Sequence, residues 1–429
     1  MASSPLATRP HLLECQDCGT FQRLPAMPPN ARAICPTCDA HLRHSRADPF
    51  SLPLALNVAA LIMFGVGAFW TLLSVSTAGQ FHDADLLTGP ERLRGFGLWE
   101  LSLVVLATTF AAPLARILCM IAVLTGLRLP RRPPGIRMMF GWIEHLRPWS
   151  MVEIFLLGLF VAYVRLSGIV HIDLGPAILA LGTLTVTMLA GDIMLDEHAV
   201  WEALDAGKRR EVPSPTLAGP PGMTSHRMGC DTCGHVARGR DGTLCPRCGF
   251  ELHHRKPDSL IRTWALVLAS LILYIPANVY PILTVVRLGT GQPSTILGGV
   301  RELMRIGQWP LALLVFFASV AVPVLKLAGL ILLLTTTMAR VRGHRRDRTV
   351  LYRVLDAVGR WSMIDIFMES ILVALVQFGA VVTVTTGPGA IAFAAVVILT
   401  MLAARTFDPR LIWDHAARAP DPVRAGEPA

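Results

Sequence analysis

The pattern Cys-x-x-Cys…Cys-x-x-Cys occurs twice in this chain, and each copy is followed by four long apolar segments. Any fold must therefore be built from two copies of one unit, a metal knuckle joined to a membrane bundle. The first copy is Cys15, Cys18, Cys35 and Cys38, and the second is Cys230, Cys233, Cys245 and Cys248. Cys38 and Cys248 stand 210 residues apart, as do Pro113 and Pro323, and Arg116 and Lys326. The spacing becomes 212 further on, where Trp149-Ser150-Met151-Val152-Glu153-Ile154-Phe155 reads against Trp361-Ser362-Met363-Ile364-Asp365-Ile366-Phe367.

Of the 429 residues, 53% are hydrophobic and 16% charged, and the apolar ones arrive in unbroken blocks. This is membrane-class composition. A crossing helix needs about 20 mostly apolar residues, and eight stretches come near that length: 54–75, 98–127, 152–170, 174–195, 260–286, 309–338, 363–386 and 389–405. The polar, Pro-rich first fifty residues lack a secretory signal pattern. Arg128, Arg131, Arg132, Arg137 and Arg147 crowd one loop, and Arg340, Arg342, Arg345, Arg346, Arg348, Arg353 and Arg360 its equivalent. The positive-inside rule then places both loops, both termini and both Cys modules in the cytoplasm, the expected site being a bacterial inner membrane. The net charge of +9 follows from that bias and from anionic headgroups, with no nucleic-acid partner implied.

The expected fold class is an all-α polytopic membrane protein of two tandem parallel repeats, each of four transmembrane helices preceded by a cytoplasmic zinc ribbon. Four crossings per unit is an even number, so both copies enter the membrane the same way round. The divisions expected are 1–48 for the first ribbon, 49–202 for the first bundle and 203–228 for a Pro-bearing linker. The second ribbon follows at 229–256, the second bundle at 257–416 and a disordered tail at 417–429.

Four thiols in two knuckles match a closed tetrahedral zinc site, and Gly19, Gly234 and Gly249 suit the tight turns around the sulfurs. A reducing cytoplasm favours coordination over disulfides. Two structural Zn2+ ions are expected, with iron or redox-active thiols as alternatives that spacing does not separate. Cys119, alone in an apolar segment, reads as packing.

Lys326 lies within a thirty-residue apolar run, where an unpaired charge costs about 2.5–3.5 kcal/mol on insertion scales. Both Lys326 and its mate Arg116 follow a proline by three, at Pro323 and Pro113. Proline frees a carbonyl four residues earlier, at Ser319 and Thr109, whose hydroxyls can join a polar network. Glu153, Asp365 and Glu369 are the candidate counter-charges; Ser150 with Glu153 and Ser362 with Asp365 also have helix-capping spacing. Glu369, two turns beyond the cap, is expected to pair with Lys326. Thr400 is a weaker pocket candidate, as is Thr383. The run Pro276-Ala277-Asn278-Val279-Tyr280-Pro281 reads as a break in the fifth segment that lines a cavity. Neither a phosphate-cradling Gly-rich loop with its Lys, nor a dinucleotide fingerprint, nor a Ser/His/Asp set is present, so an enzyme is not expected.

The paired four-cysteine modules and the repeated bundle resemble the paraquat-inducible protein A family, including its lipophilic-envelope-spanning-tunnel A branch. So do Tyr274-Ile275-Pro276-Ala277-Asn278, Gly359-Arg360-Trp361-Ser362-Met363-Ile364-Asp365 and the run from Arg405 to Asp414. The first unit departs from the last motif, with Asp196-Glu197-His198-Ala199-Val200-Trp201 against Asp408 to Trp413. The resemblance implies an inner-membrane component that works with an MCE-domain periplasmic tunnel protein and moves phospholipid between membranes. It also implies a substrate pocket around Lys326, Ser319 and Thr400. The rival reading is a membrane-embedded metal or redox sensor, or scaffold, without transport.

Overall fold

The computed structural model describes residues 11–77, 80–166, 171–206, 226–287, 290–375 and 382–414. Each Cys module is a pair of short antiparallel hairpins: His11–Glu14 with Phe21–Leu24 and Arg32–Ile34 with His41–His44, then His226–Gly229 with Val236–Gly239 and Thr243–Leu244 with Glu251–Leu252. The chain then folds as helices around the short segments Val152–Leu166 and Ile364–Leu375, and elements between Ser51 and Met194 recur in the same order between Ser259 and Thr406.

Among the described residues, six helices are long and apolar enough to cross a membrane: Ser51–Phe69, Trp99–Gly126, Pro176–Met194, Ser259–Val279, Trp309–Met338 and Pro388–Thr406. The protein is a multi-pass membrane protein. Trp309–Met338 is 30 residues, about 45 Å at 1.5 Å per residue, which exceeds the hydrocarbon thickness of about 30 Å. The two long helices each contain one π-helical turn, Ala107–Ala111 and Phe317–Ala321, immediately before Pro113 and Pro323. The wider turn absorbs the missing proline N–H without breaking the helix. In the π turn the Ala112 N–H bonds Ala107 O, five residues back, so the carbonyl facing Pro113 is that of Thr108 and not the expected Thr109, and it accepts a 3.3 Å hydrogen bond from the Met151 N–H at the start of the next segment.

Helix Ser259–Val279 packs along Pro388–Thr406, and Ser51–Phe69 along Pro176–Met194. Gly387 makes the turn into its helix possible: a Cβ there would lie 2.2 Å from the Pro281 carbonyl oxygen. Val152–Leu166 and Ile364–Leu375 pack on each other at the junction of the halves, with the Phe155 and Phe367 rings edge to face at 5.8 Å. Gly158 permits this approach, since its Cβ would meet the Ile364 carbonyl at 3.2 Å.

Several expectations are corrected. The membrane part is not purely helical, because each half carries a three-stranded antiparallel sheet at the end opposite the Cys modules. In the first half Leu73–Thr77 lies between Gln80–Ala84 and His171–Leu174; in the second Leu283–Arg287 lies between Thr290–Ser294 and Val382–Thr386. The apolar runs 54–75, 260–286 and 363–386 therefore end as strands, Thr383 included, because β-branched residues in these stretches supply ladder pairs rather than helix turns. Over the third and seventh runs the described residues form helices of 15 and 12 residues, and 167–170 and 376–381, which continue these runs, lie outside the described residues. The fifth segment is not broken: Pro276 sits inside a continuous helix to Val279. Ordered structure also reaches into both ends of the expected linker, with a helix Glu197–Ala206 and a strand from His226.

Candidate functional site: two thiolate clusters and a buried cation

In each Cys module the four sulfurs converge within 4.8 Å of one another and are buried. Cys15 and Cys38 Sγ are 3.6 Å apart, Cys18 and Cys35 3.6 Å, Cys230 and Cys248 3.5 Å, and Cys233 and Cys245 3.6 Å. A disulfide needs about 2.05 Å, whereas a tetrahedron with metal–sulfur bonds of about 2.3 Å puts its corners about 3.8 Å apart. The donor set fits a closed four-thiolate metal site. Knuckle turns are held by Gly19 N–H to Cys15 O at 2.8 Å and Gly234 N–H to Cys230 O at 2.9 Å. Both glycines adopt positive φ, +73° and +66°. The Gln22 amide donates to Cys35 Sγ at 3.0 Å.

The modules are built into the fold. Glu14 of the first accepts from the Gly229 N–H of the second at 2.5 Å, and Gln16 donates to Asp231 O at 2.8 Å. Arg410, 2% exposed, lies between them, 3.0 Å from Asp408, 3.2 Å from Asp231 and 3.6 Å from Glu14. Burial pushes the Glu14 carboxyl up, against the lowering effects of the Gly229 N–H and the Arg410 and Arg255 charges. Burial also opposes ionisation of Asp408, but the charge and hydrogen bonds of Arg410 outweigh it and hold that carboxyl below its usual range. The first module reaches across to the second half through Arg353, whose guanidinium meets Asp17 at 2.7 Å. The second module sits on the first half, with Phe250 against Trp142 and His145.

Lys326 is 1% exposed, and among the described residues its Nζ has no hydrogen-bond partner. It abuts Gly359 so closely that a Cβ there would stand 2.8 Å from Nζ. Gly359 ends helix Arg345–Gly359, which runs back along Val322–Met338 with Leu355 filling the space over Gly329. The turn Arg360–Met363 follows and touches both the π-turn holding Ser319 and the helix holding Thr400.

The expected pair of Lys326 with Glu369 is not made. Asp365 and Glu369 are buried on Ile364–Leu375, the helix packed at the junction of the halves. The hydroxyls of Ser319, Thr109 and Thr400 bond their own helices, to Val315 O, Val105 O and Val397 O. The amide of Asn278 does the same, donating to Tyr274 O at 2.8 Å. In an apolar helix the nearest free acceptor is a carbonyl of the preceding turn, which explains why these groups satisfy themselves locally. Pro323 shapes the bulge. The Ser150 and Ser362 hydroxyls have no hydrogen-bond partner among the described residues, so the expected caps do not form. Glu153 is exposed instead and lies 3.9 Å from Arg360 of the other half.

Arg116 differs from Lys326: it forms an ion pair with Asp192 of helix Pro176–Met194. The two line a crevice with Glu144, Arg147, Glu197 and Trp201. Arg147 bridges Glu197 at 3.1 Å and Glu144 at 3.6 Å. Burial, then the neighbouring Glu144 charge, pushes the Glu197 carboxyl up to about 8. Asp192 escaped the sequence reading, as did the contacts of Gly359 with Lys326 and of Arg353 with the first module. Asp192 was within reach of that reading, since it is the sole charged residue of an apolar nineteen-residue helix.

The sequence model of paraquat-inducible protein A matches residues 50–205 and 260–417. The chain is 33% identical over 416 residues to intermembrane transport protein PqiA of Escherichia coli, covering 94% of this chain and 96% of that protein. It is 29% identical over 401 residues to lipophilic envelope-spanning tunnel protein A of the same organism, covering 93% and 90%. A probable intermembrane transport protein of Haemophilus influenzae is 27% identical over 417 residues, covering 94% and 95%. No solved structure matches.

Proposed function

Since this chain belongs to the paraquat-inducible protein A family, we propose that it is the inner-membrane component of an intermembrane phospholipid transport system. Its relatives are named as transport proteins, and no enzyme activity is proposed. Its partner is an MCE-domain tunnel protein on the periplasmic side, which exchanges lipid with a pocket in the second half. The two halves are parallel repeats about an axis normal to the membrane, with both termini and both thiolate modules cytoplasmic. The thiolate clusters hold two structural zinc ions; the docking of each module onto the opposite half supports this scaffold role over sensing.

The single observation that carries the reading is Lys326: a buried ammonium with no hydrogen-bond partner among the described residues. Such a charge is costly in a low-dielectric interior and is relieved by an anion. A phospholipid offers a phosphate for the cation and acyl chains for the surrounding apolar helices. In this conformation Lys326 is sealed from the surface, so lipid entry requires Arg345–Gly359 and the turn after it to shift.

The test is mass spectrometry of co-purified lipid and metal in wild type and Lys326→Ala. Bound phospholipid falls about tenfold or more in the variant, as expected when one member of a buried charge pair is lost, and metal content stays unchanged. Equal lipid in both proteins would refute the pocket.

A further inference from the structure

The two halves carry the same cation in different company. Three landmarks share a spacing of 212: Trp149 with Trp361, Gly175-Pro176 with Gly387-Pro388, and Trp201 with Trp413. On that spacing Asp192 corresponds to Ala404, Arg147 to Gly359 and Glu144 to Asp356. Arg116 corresponds to Lys326, each three residues after the proline that follows a π-helical turn. In the first half Asp192 neutralises Arg116. In the second half Ala404, 1% exposed, stands on the equivalent helix turn, that helix packs on the one bearing Lys326, and among the described residues the ammonium has no hydrogen-bond partner, the Asp356 charge acting on it only from beyond contact. Glu144 and Glu197 pair with Arg147, on which the Asp192 charge also acts, and only Asp192 is in ion-pair contact with Arg116 among the described residues.

A carboxylate on a guanidinium has the charge and hydrogen-bond geometry of a bound phosphate. We infer that Asp192 occupies in the first half the place an anionic headgroup takes in the second, so that the Asp192/Ala404 difference confines phospholipid binding to Lys326. This rests on the reading of Lys326 as the headgroup partner. Specificity between the halves is thus set by a built-in competitor in one and its deletion in the other, a repulsive element rather than a lost attraction. Gly359 adds to it, since the matching Arg147 position would place a side chain where the ammonium lies.

The experiment is native mass spectrometry of the full chain in mixed micelles with phosphatidylglycerol, and in parallel with inorganic phosphate. Wild type takes one phosphatidylglycerol per chain, Asp192→Ala takes two, and Ala404→Asp takes none. Ala404→Asn, which matches the size without the charge, keeps its one. Asp192→Asn guards against misfolding of the alanine variant and also gains a second lipid; metal content and melting temperature report the fold. If Lys326→Ala loses lipid while Asp192→Ala and Asp192→Asn stay at one and Ala404→Asp keeps one, the inference is overturned and the transport reading stands. If Lys326→Ala keeps its lipid, the transport pocket itself is refuted. Stoichiometric uptake of inorganic phosphate in place of phosphatidylglycerol would overturn the lipid assignment.

Discussion

Arg353 of the second half donates to the carbonyl of Cys38 at 2.9 Å and lies 3.5 Å from its Sγ, so a member of the first thiol quartet is hydrogen-bonded to the helix whose last residue, Gly359, abuts Lys326. The same guanidinium meets Asp17 at 2.7 Å, and Arg346 adds bonds to the Pro36 and Thr37 carbonyls. The first module is thereby clamped to Arg345–Gly359.

Arg353→Ala removes this clamp. The expected cost is about 1.5 kcal/mol, the low end for a hydrogen bond to a charged group because both partners are partly exposed. Hydrogen–deuterium exchange should rise in 11–44 and in Arg345–Gly359 while helix Ser51–Phe69 is unaffected. Unchanged exchange would show that the clamp contributes nothing.

Metal analysis should find two ions per chain. Cys35→Ser or Cys245→Ser leaves one, with proteolytic sensitivity confined to the altered module. Because the ligands are thiolates, binding releases protons, and metal retention falls as pH falls. An altered module that keeps both its ion and its protease resistance would remove the case for a four-thiolate site.

Arg410→Met leaves Asp408 buried without its guanidinium and Glu14 with Arg255 alone, at a cost of about 3 kcal/mol. Asp408 is held below its ordinary value of 3.8, so its contribution is full above that pH and is lost as pH falls through the lower folded value. Without Arg410 the acid transition moves to higher pH. Tryptophan fluorescence during acid titration reads it, Trp413 lying three residues away in sequence.

Glu197 gives a transition at the opposite end. Its carboxyl is raised from 4.5 to about 8 by burial and by Glu144, with Arg147 opposing and Asp192 adding repulsion. A raised acid contributes stability that is full below about 4.5 and is lost as pH rises through about 8. The melting temperature should therefore fall between about pH 4.5 and 8 and level off above it in wild type, and change less in Glu197→Gln. Identical profiles would exclude this carboxyl as the titrating group.

Residue type and spacing alone revealed the cysteine quartets, six of the eight expected crossing helices among the described residues, and the Lys326 and Arg116 pair of cations. The strands at 73–77, 283–287 and 382–386 were hidden, since an apolar β-branched run satisfies its backbone equally well within a helix or across a ladder. Partner strands far along the chain decide between these.

Counter-charges were the other misreading. Glu369 lies at a plausible depth for Lys326, yet the helix carrying it is packed at the junction of the halves, while the carboxylate that neutralises Arg116 comes from Asp192 on a different helix. What the sequence by itself determined was which groups are too costly to leave unpaired in a membrane. Which partner each receives, Asp192 in contact with Arg116 and only the more distant Asp356 charge for Lys326, only the tertiary structure decided, because ion pairing falls off within a few ångströms and helix rotation sets those distances.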